Sequence, residues 1–124
     1  MANEISWGVS LSVTKDGATV SANITGNMDL AGDGKWSNVQ AIGTSAEALA
    51  FPADLTTEGI RYLLLLNLSD ANYLEVSLDA SVASPFLKLD YGEAALLRVY
   101  QDAPVYYAKA NTAACNLQMV ACGT

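Results

Sequence analysis

"SLSVTKDGATVSANITGN", residues 10–27, decides the fold. Apolar and polar residues alternate along it, the period of a strand with two unlike faces. At its centre, Asp16-Gly17 predicts a two-residue type I′ hairpin turn, which needs positive φ at both central positions. That turn fixes a register. Lys15 faces Ala18, Val13 faces Val20, Leu11 faces Ala22, Val9 faces Ile24, Trp7 faces Gly26 and Ile5 faces Met28. Every pair from Val13 outward joins apolar or small residues, so turn and pattern agree. A Trp ring opposite a Gly covers backbone that the glycine leaves bare. The alternation is the mark of a half-buried strand pair. The opposite side carries Ser10, Ser12, Thr14, Thr19, Ser21, Asn23 and Thr25. It is polar and holds no charge.

The same alternation recurs in short runs down the chain, with turn residues between them. Strands are expected near residues 5–14, 18–30, 36–44, 47–51, 60–68, 73–80, 85–90, 94–100, 104–110 and 114–122. Tyr62-Leu63-Leu64-Leu65-Leu66 reads as a central strand covered on both faces. Residues 52–59 make a longer connection, with Asp54 or Thr56 placed to cap one helical turn. Asn111-Thr112 is expected to close a last hairpin, with Ala110 facing Ala113, Ala108 facing Cys115 and Tyr106 facing Leu117. Many strands without a helical period imply one all-β domain over residues 1–124. The expected architecture is an antiparallel two-sheet sandwich, a jelly roll first and an immunoglobulin-like sandwich second.

Composition narrows the function. The chain has 124 residues, 52% of them hydrophobic and only 15% charged, against about 25% charged in an ordinary soluble domain. A chain this poor in charge is expected to hide part of its surface in an assembly. Six basic residues against thirteen acidic ones, net −7, argue against nucleic acid and against an anionic membrane as partners. The longest apolar run is too short to span a bilayer, and no basic-then-apolar leader opens the chain. Cys115 and Cys122 lie seven apart in one expected strand, with opposite parity. They point to opposite faces and are read as free thiols, which suits assembly in a reducing cytoplasm.

Catalytic signals are weak. Histidine is absent, which removes the commonest general base and metal ligand. The carboxylates sit at turns: Asp16, Asp33, Asp70, Asp90, Glu93 and Asp102. Asp is a turn former for backbone reasons, so this placement needs no active site. Asp29 and Asp33 flank Gly32 in a way that hints at calcium, although a plain glycine turn explains them as well. Trp7, Trp36, Tyr62, Tyr73, Tyr91, Tyr100, Tyr106 and Tyr107 offer either a sugar-stacking platform or ordinary strand packing. Asn23-Ile24-Thr25 and Asn67-Leu68-Ser69 are formal glycosylation triplets; without a leader they carry no weight. No cofactor is expected.

Residues 67–118 carry a family signal. Asn72, Tyr73, Leu74, Glu75 and Val76 form an Asn-Tyr start followed by alternating apolar residues and an acid. Lys88 and Leu89 end a strand, Gly92 and Glu93 make a turn, and Leu96, Leu97 and Arg98 open the next strand. Tyr107, Ala108, Lys109, Ala110 and Asn111 make a late Tyr-Ala-Lys-Ala-Asn stretch. In these motifs the chain resembles small virion structural proteins of tailed bacteriophages. The resemblance implies a non-enzymatic particle component assembled in the host cytoplasm and found on the virion. A capsid decoration or cement protein is the first reading, with the phage major capsid protein or other virion proteins as partners and a homotrimer as the expected oligomer. A tail, baseplate or fibre component is the alternative within that class. A carbohydrate-binding module and a small glycan hydrolase are the alternatives outside it. In the first reading the hydroxyl face of the hairpin is the covered surface. Small hydroxyls lose little rotamer entropy there and bring no charge to desolvate.

Overall fold

The structure is a computed structural model that describes residues 4–30, 35–52, 55, 60–99 and 105–123. Among these residues ten strands are formed: β1 Ile5–Lys15, β2 Ala18–Met28, β3 Lys35–Ile42, β4 Glu47–Ala48, β5 Ile60–Asn67, β6 Leu74–Ser77, β7 Leu87–Leu89, β8 Ala94–Arg98, β9 Tyr107–Ala110 and β10 Cys115–Gly123. Each lies within two or three residues of an expected run. Tyr100, Asp102, Pro104, Asp54, Thr56 and the loop Gly32-Asp33-Gly34 fall outside the described residues. The chain divides into two compact units, Met1–Asp33 and Gly34–Thr124, and each is described by itself.

The first unit is a two-stranded antiparallel ribbon, β1 with β2, in the expected register from Lys15↔Ala18 to Ile5↔Met28. Asp16 (φ 53°) and Gly17 (φ 79°) take the two positive φ values of the turn. At the other end the Trp7 ring covers Gly26. A Cβ added there would fall 2.6 Å from ring Cε2 and 2.9 Å from Cη2, so the site takes only glycine without moving the ring.

The second unit is an antiparallel sandwich of two four-stranded sheets. Sheet I runs β3-β10-β5-β8 and sheet II runs β4-β9-β6-β7. Ile42, Leu63, Leu65, Leu117, Met119 and Ala121 from sheet I meet Leu74, Val76, Leu89, Ala108 and Ala110 from sheet II in one core. The alternating pattern of β10 puts Cys115, Leu117, Met119 and Ala121 inside and leaves Asn116 and Val120 outside. Cys115 is buried and Cys122 half-buried on the opposite face, both free thiols.

Two expectations are corrected. Residues 110–115 do not close a hairpin. β9 pairs with β4 and β6 while β10 pairs with β3 and β5, so the chain crosses from one sheet to the other at Asn111–Ala114. Both strands bury alternate residues, and that pattern suits strands facing each other across a core as well as strands side by side. Asn-Thr, lacking the glycine of a tight turn, does not force the side-by-side choice. β5 is internal, as expected, but it is covered on one face only. Leu63 and Leu65 are fully buried, whereas Leu64 points outward at 38% exposure.

Asn67 ends β5 on the core-facing row and joins the two sheets. Its Nδ2 donates to the Asn72 carbonyl (2.9 Å) and the Leu89 carbonyl (3.1 Å), and its Oδ1 accepts from the Ser69 N–H (3.0 Å). Its backbone N–H donates to the Glu93 carbonyl, and its carbonyl accepts from the Gly92 N–H, both at 3.0 Å. A fully buried amide with every group engaged is a structural device.

Candidate functional site

The ribbon is where the chain departs furthest from a self-sufficient fold. Two strands alone are marginal in water, because one hairpin cannot dry a face. The alternation predicts a half-buried pair of strands. Instead Val9, Leu11, Val13, Val20 and Ile24 are exposed, from 48% at Val9 to 77% at Val20. Only the base of the ribbon, at Ile5, Trp7, Gly26 and Met28, is buried or half-buried. The hydroxyl side is open too. Ser10, Ser12, Thr14, Thr19, Ser21, Asn23 and Thr25 are all exposed and share one face through the pairs Ser12↔Ser21, Ser10↔Asn23 and Thr14↔Thr19. Thr14 and Thr19 join their hydroxyls at 2.9 Å. Neither strand contains an acid, and Lys15 is the one cation, at the tip of the apolar side. The charges and prolines with which natural sheets blunt exposed strands are otherwise missing from these two strands.

Sequence reasoning named the hydroxyl row and missed the five aliphatic residues, since alternation says that a face must be dry and not what dries it. A signal was present: both strands have eleven residues, and among the described residues no later strand is longer than nine.

Most of the motif residues between Asn72 and Asn111 lie in sheet II and its turns, with Arg98 on β8 of sheet I. Glu75 pairs with Lys88 on one side and Lys109 on the other, so opposite charges lie across three strands. The Lys88 ammonium sits 4.3 Å over the Tyr73 ring and 3.5 Å from an Asp90 carboxylate oxygen. Tyr73 N–H donates to Asn111 Oδ1 (3.1 Å), and the Thr112 hydroxyl donates to Asn72 Oδ1 (2.7 Å). These bonds fix the crossing between the sheets. Gly92 takes φ 77° in the turn that Glu93 closes by accepting from the Asp90 N–H at 2.8 Å. Arg98 donates to the Val99 carbonyl (2.9 Å) and lies 5.5 Å from the Tyr62 ring. Tyr107 is half-buried on β9.

The other candidates disperse. Trp36 packs edge-on against Phe51 at 5.4 Å, Tyr106 lies 6.1 Å from Phe86, and Tyr62 and Tyr73 each sit under a cation. They do not share one platform. Asp79 serves its own loop. Its carboxylate accepts from the Ser77 and Ser81 hydroxyls and the Ala83 and Ser84 N–H groups, which hold it well below the ordinary range. Among the described residues no three His, Cys, Asp or Glu side chains gather as a metal site, and no helix is long and apolar enough to cross a membrane. Asp33 of the calcium hint lies outside the described residues. The Asn67 triplet has its amide committed inside the sandwich. No family model, characterised protein or solved structure matches the chain.

Proposed function

We propose that the chain is a non-enzymatic structural subunit of a bacteriophage virion, a capsid decoration or cement protein that acts as a homo-oligomer. One observation carries the reading: a ribbon of two eleven-residue strands without acids is open on both faces, in a chain whose sandwich already has its own core. A surface of this kind is costly to leave wet, and larger exposed apolar patches mark interaction sites. The strand order β3-β10-β5-β8 over β4-β9-β6-β7 supports the finer reading of the sandwich as a jelly roll, whose eight strands fill two interleaved sheets. The virion-like motifs of residues 67–118 support the phage assignment.

In this reading the hydroxyl row from Ser10 to Thr25 lies against the major capsid protein across neighbouring capsomers. Ligation to the assembled shell and not to free subunits stabilises the particle by linkage. Few charges are available to pair, so binding depends little on salt.

The test is cryo-EM of purified particles carrying the protein, with heat-induced genome release measured on particles with and without it. Density on the shell and later release are expected. Ser12→Arg and Ser21→Arg should abolish the density while leaving the fold intact. Particles without density, or with unchanged release, would overturn the reading.

A further inference from the structure

The reading above leaves the aliphatic side of the ribbon without a partner, and the present inference rests on that reading of the ribbon as a docking element. We infer that this side is a contact between two copies of the chain, packed face to face about a two-fold axis near Leu11. The exposed window runs from Val9 to Val13 on β1 and from Val20 to Ile24 on β2, centred on the pair Leu11↔Ala22. A two-fold axis there lays the window on itself, so each apolar row meets an apolar row of the partner. The five side chains expose roughly 500 Å² per copy, and closing two such faces removes roughly 1,000 Å², the size at which a specific interface begins. Ala18, Ala22 and the Lys15 stem add to it.

Charge selects the occupant and the direction. The chain carries net −7, and the ribbon strands contain no acid, so a copy meets a copy here without acid facing acid. Homo-oligomer contacts are the more apolar class of interface. Lys15 shares the aliphatic side, four residues beyond Leu11. In the antiparallel arrangement it lies over position 7 of the other copy, where the partner's Trp7 presents an indole to its ammonium. A parallel three-fold bundle, the arrangement a trimer would use, gathers three Lys15 ammonium groups at one tip, where they repel.

The test uses the full chain on a Cys122→Ala background. Val9→Cys and Val13→Cys chains with different tags are treated, mixed or singly, with a bismaleimide of about 8 Å span, matched to the ~10 Å between packed sheets. The antiparallel register puts residue 9 opposite residue 13, so the mixture should cross-link about tenfold more than either chain alone, where the thiols lie roughly 14 Å apart along the strands. Efficient cross-linking of Val13→Cys with itself would overturn the proposal in favour of the parallel bundle. Leu11→Glu should convert the associated chain to monomer in sedimentation velocity at micromolar concentration, while Ser12→Arg should not. A parent chain that is already monomeric there, or a Leu11→Glu chain that still associates, would also overturn it. A chain that self-associates through Leu11 but leaves no density on particles sinks the virion role and keeps this contact. A monomer that decorates particles does the reverse.

Discussion

Replacing Asn67 by alanine tests whether one amide holds the two sheets in place. The side chain is fully buried and makes three hydrogen bonds, to the carbonyls of Asn72 and Leu89 and from the N–H of Ser69. Each is worth about 1 kcal/mol net, and a buried group left without its partner costs about 1–3 kcal/mol. The bond to Leu89 is the buried one, and the other two are partly screened. A loss of about 3 kcal/mol follows, a large share of the roughly 5–15 kcal/mol that holds an ordinary domain. Urea unfolding at several protein concentrations measures it, with self-association removed by extrapolation to dilution. Asn67→Asp sharpens the test, because the shape is kept while a donor becomes an acceptor facing two carbonyls. Its carboxyl is stabilised in the protonated form, so its folded pKa rises above the unfolded value. The deficit relative to the parent chain should therefore be full at neutral pH and shrink as pH falls through that raised value. A loss under about 1 kcal/mol for Asn67→Ala, or a pH-independent deficit for Asn67→Asp, would refute the assignment.

Leu65→Asp should yield insoluble or unfolded chain, since it buries an unpaired charge, whereas Leu64→Asp, on the outward face of β5, should remain soluble with native circular dichroism. Asp79 is held below its ordinary value of 3.8 by the Ser77 hydroxyl first and the Ala83 N–H next. An acid with a depressed folded pKa contributes stability that is present above the unfolded value and lost as pH falls below it, so Asp79→Asn should flatten the acid limb of a melting-temperature profile below about pH 4. In the native chain a thiol reagent should modify Cys122 slowly, since burial raises its pKa, and should reach Cys115 only after unfolding; two equal fast phases would refute that placement.

How far the sequence spoke depends on the range of each signal. Asp16-Gly17 and the alternation around it fixed eleven pairs, because a tight turn and a period of two are both local. The ten strands were legible for the same reason. The crossing after β9 was not, since alternate burial in Tyr107–Ala110 and Cys115–Gly123 is the same whether two strands sit side by side or face each other. Asn67 was legible only as part of an Asn-Leu-Ser triplet. Its value comes from Leu89, twenty-two residues away, and no local pattern announces that partner. Leu64 misled because five apolar residues in a row look covered on both sides, and an outer face left apolar reads the same way.

The ribbon shows the limit most clearly, because its pattern was read correctly and its surroundings were not. Alternation states that Val9, Leu11, Val13, Val20 and Ile24 belong against something dry. In most domains that something is the rest of the chain. Here the later strands spend their inward residues on one another, Leu63, Leu65, Leu117 and Met119 of sheet I in one core with Leu74 and Val76 of sheet II. The sandwich has a closed core of its own, and the ribbon keeps an apolar face exposed. A chain that only had to be soluble would place Lys or Glu on one of the two strands, as edge strands elsewhere do. Nothing between Ile5 and Thr14, or between Ala18 and Met28, does so. Apart from Lys15 at the tip, charge is withheld from both faces at once, and a single covered face would not require that of the hydroxyl row. The two coverings proposed above account for it together: a like copy on the aliphatic side, and a polar surface of another protein on the side of Ser10, Ser12, Ser21 and Asn23.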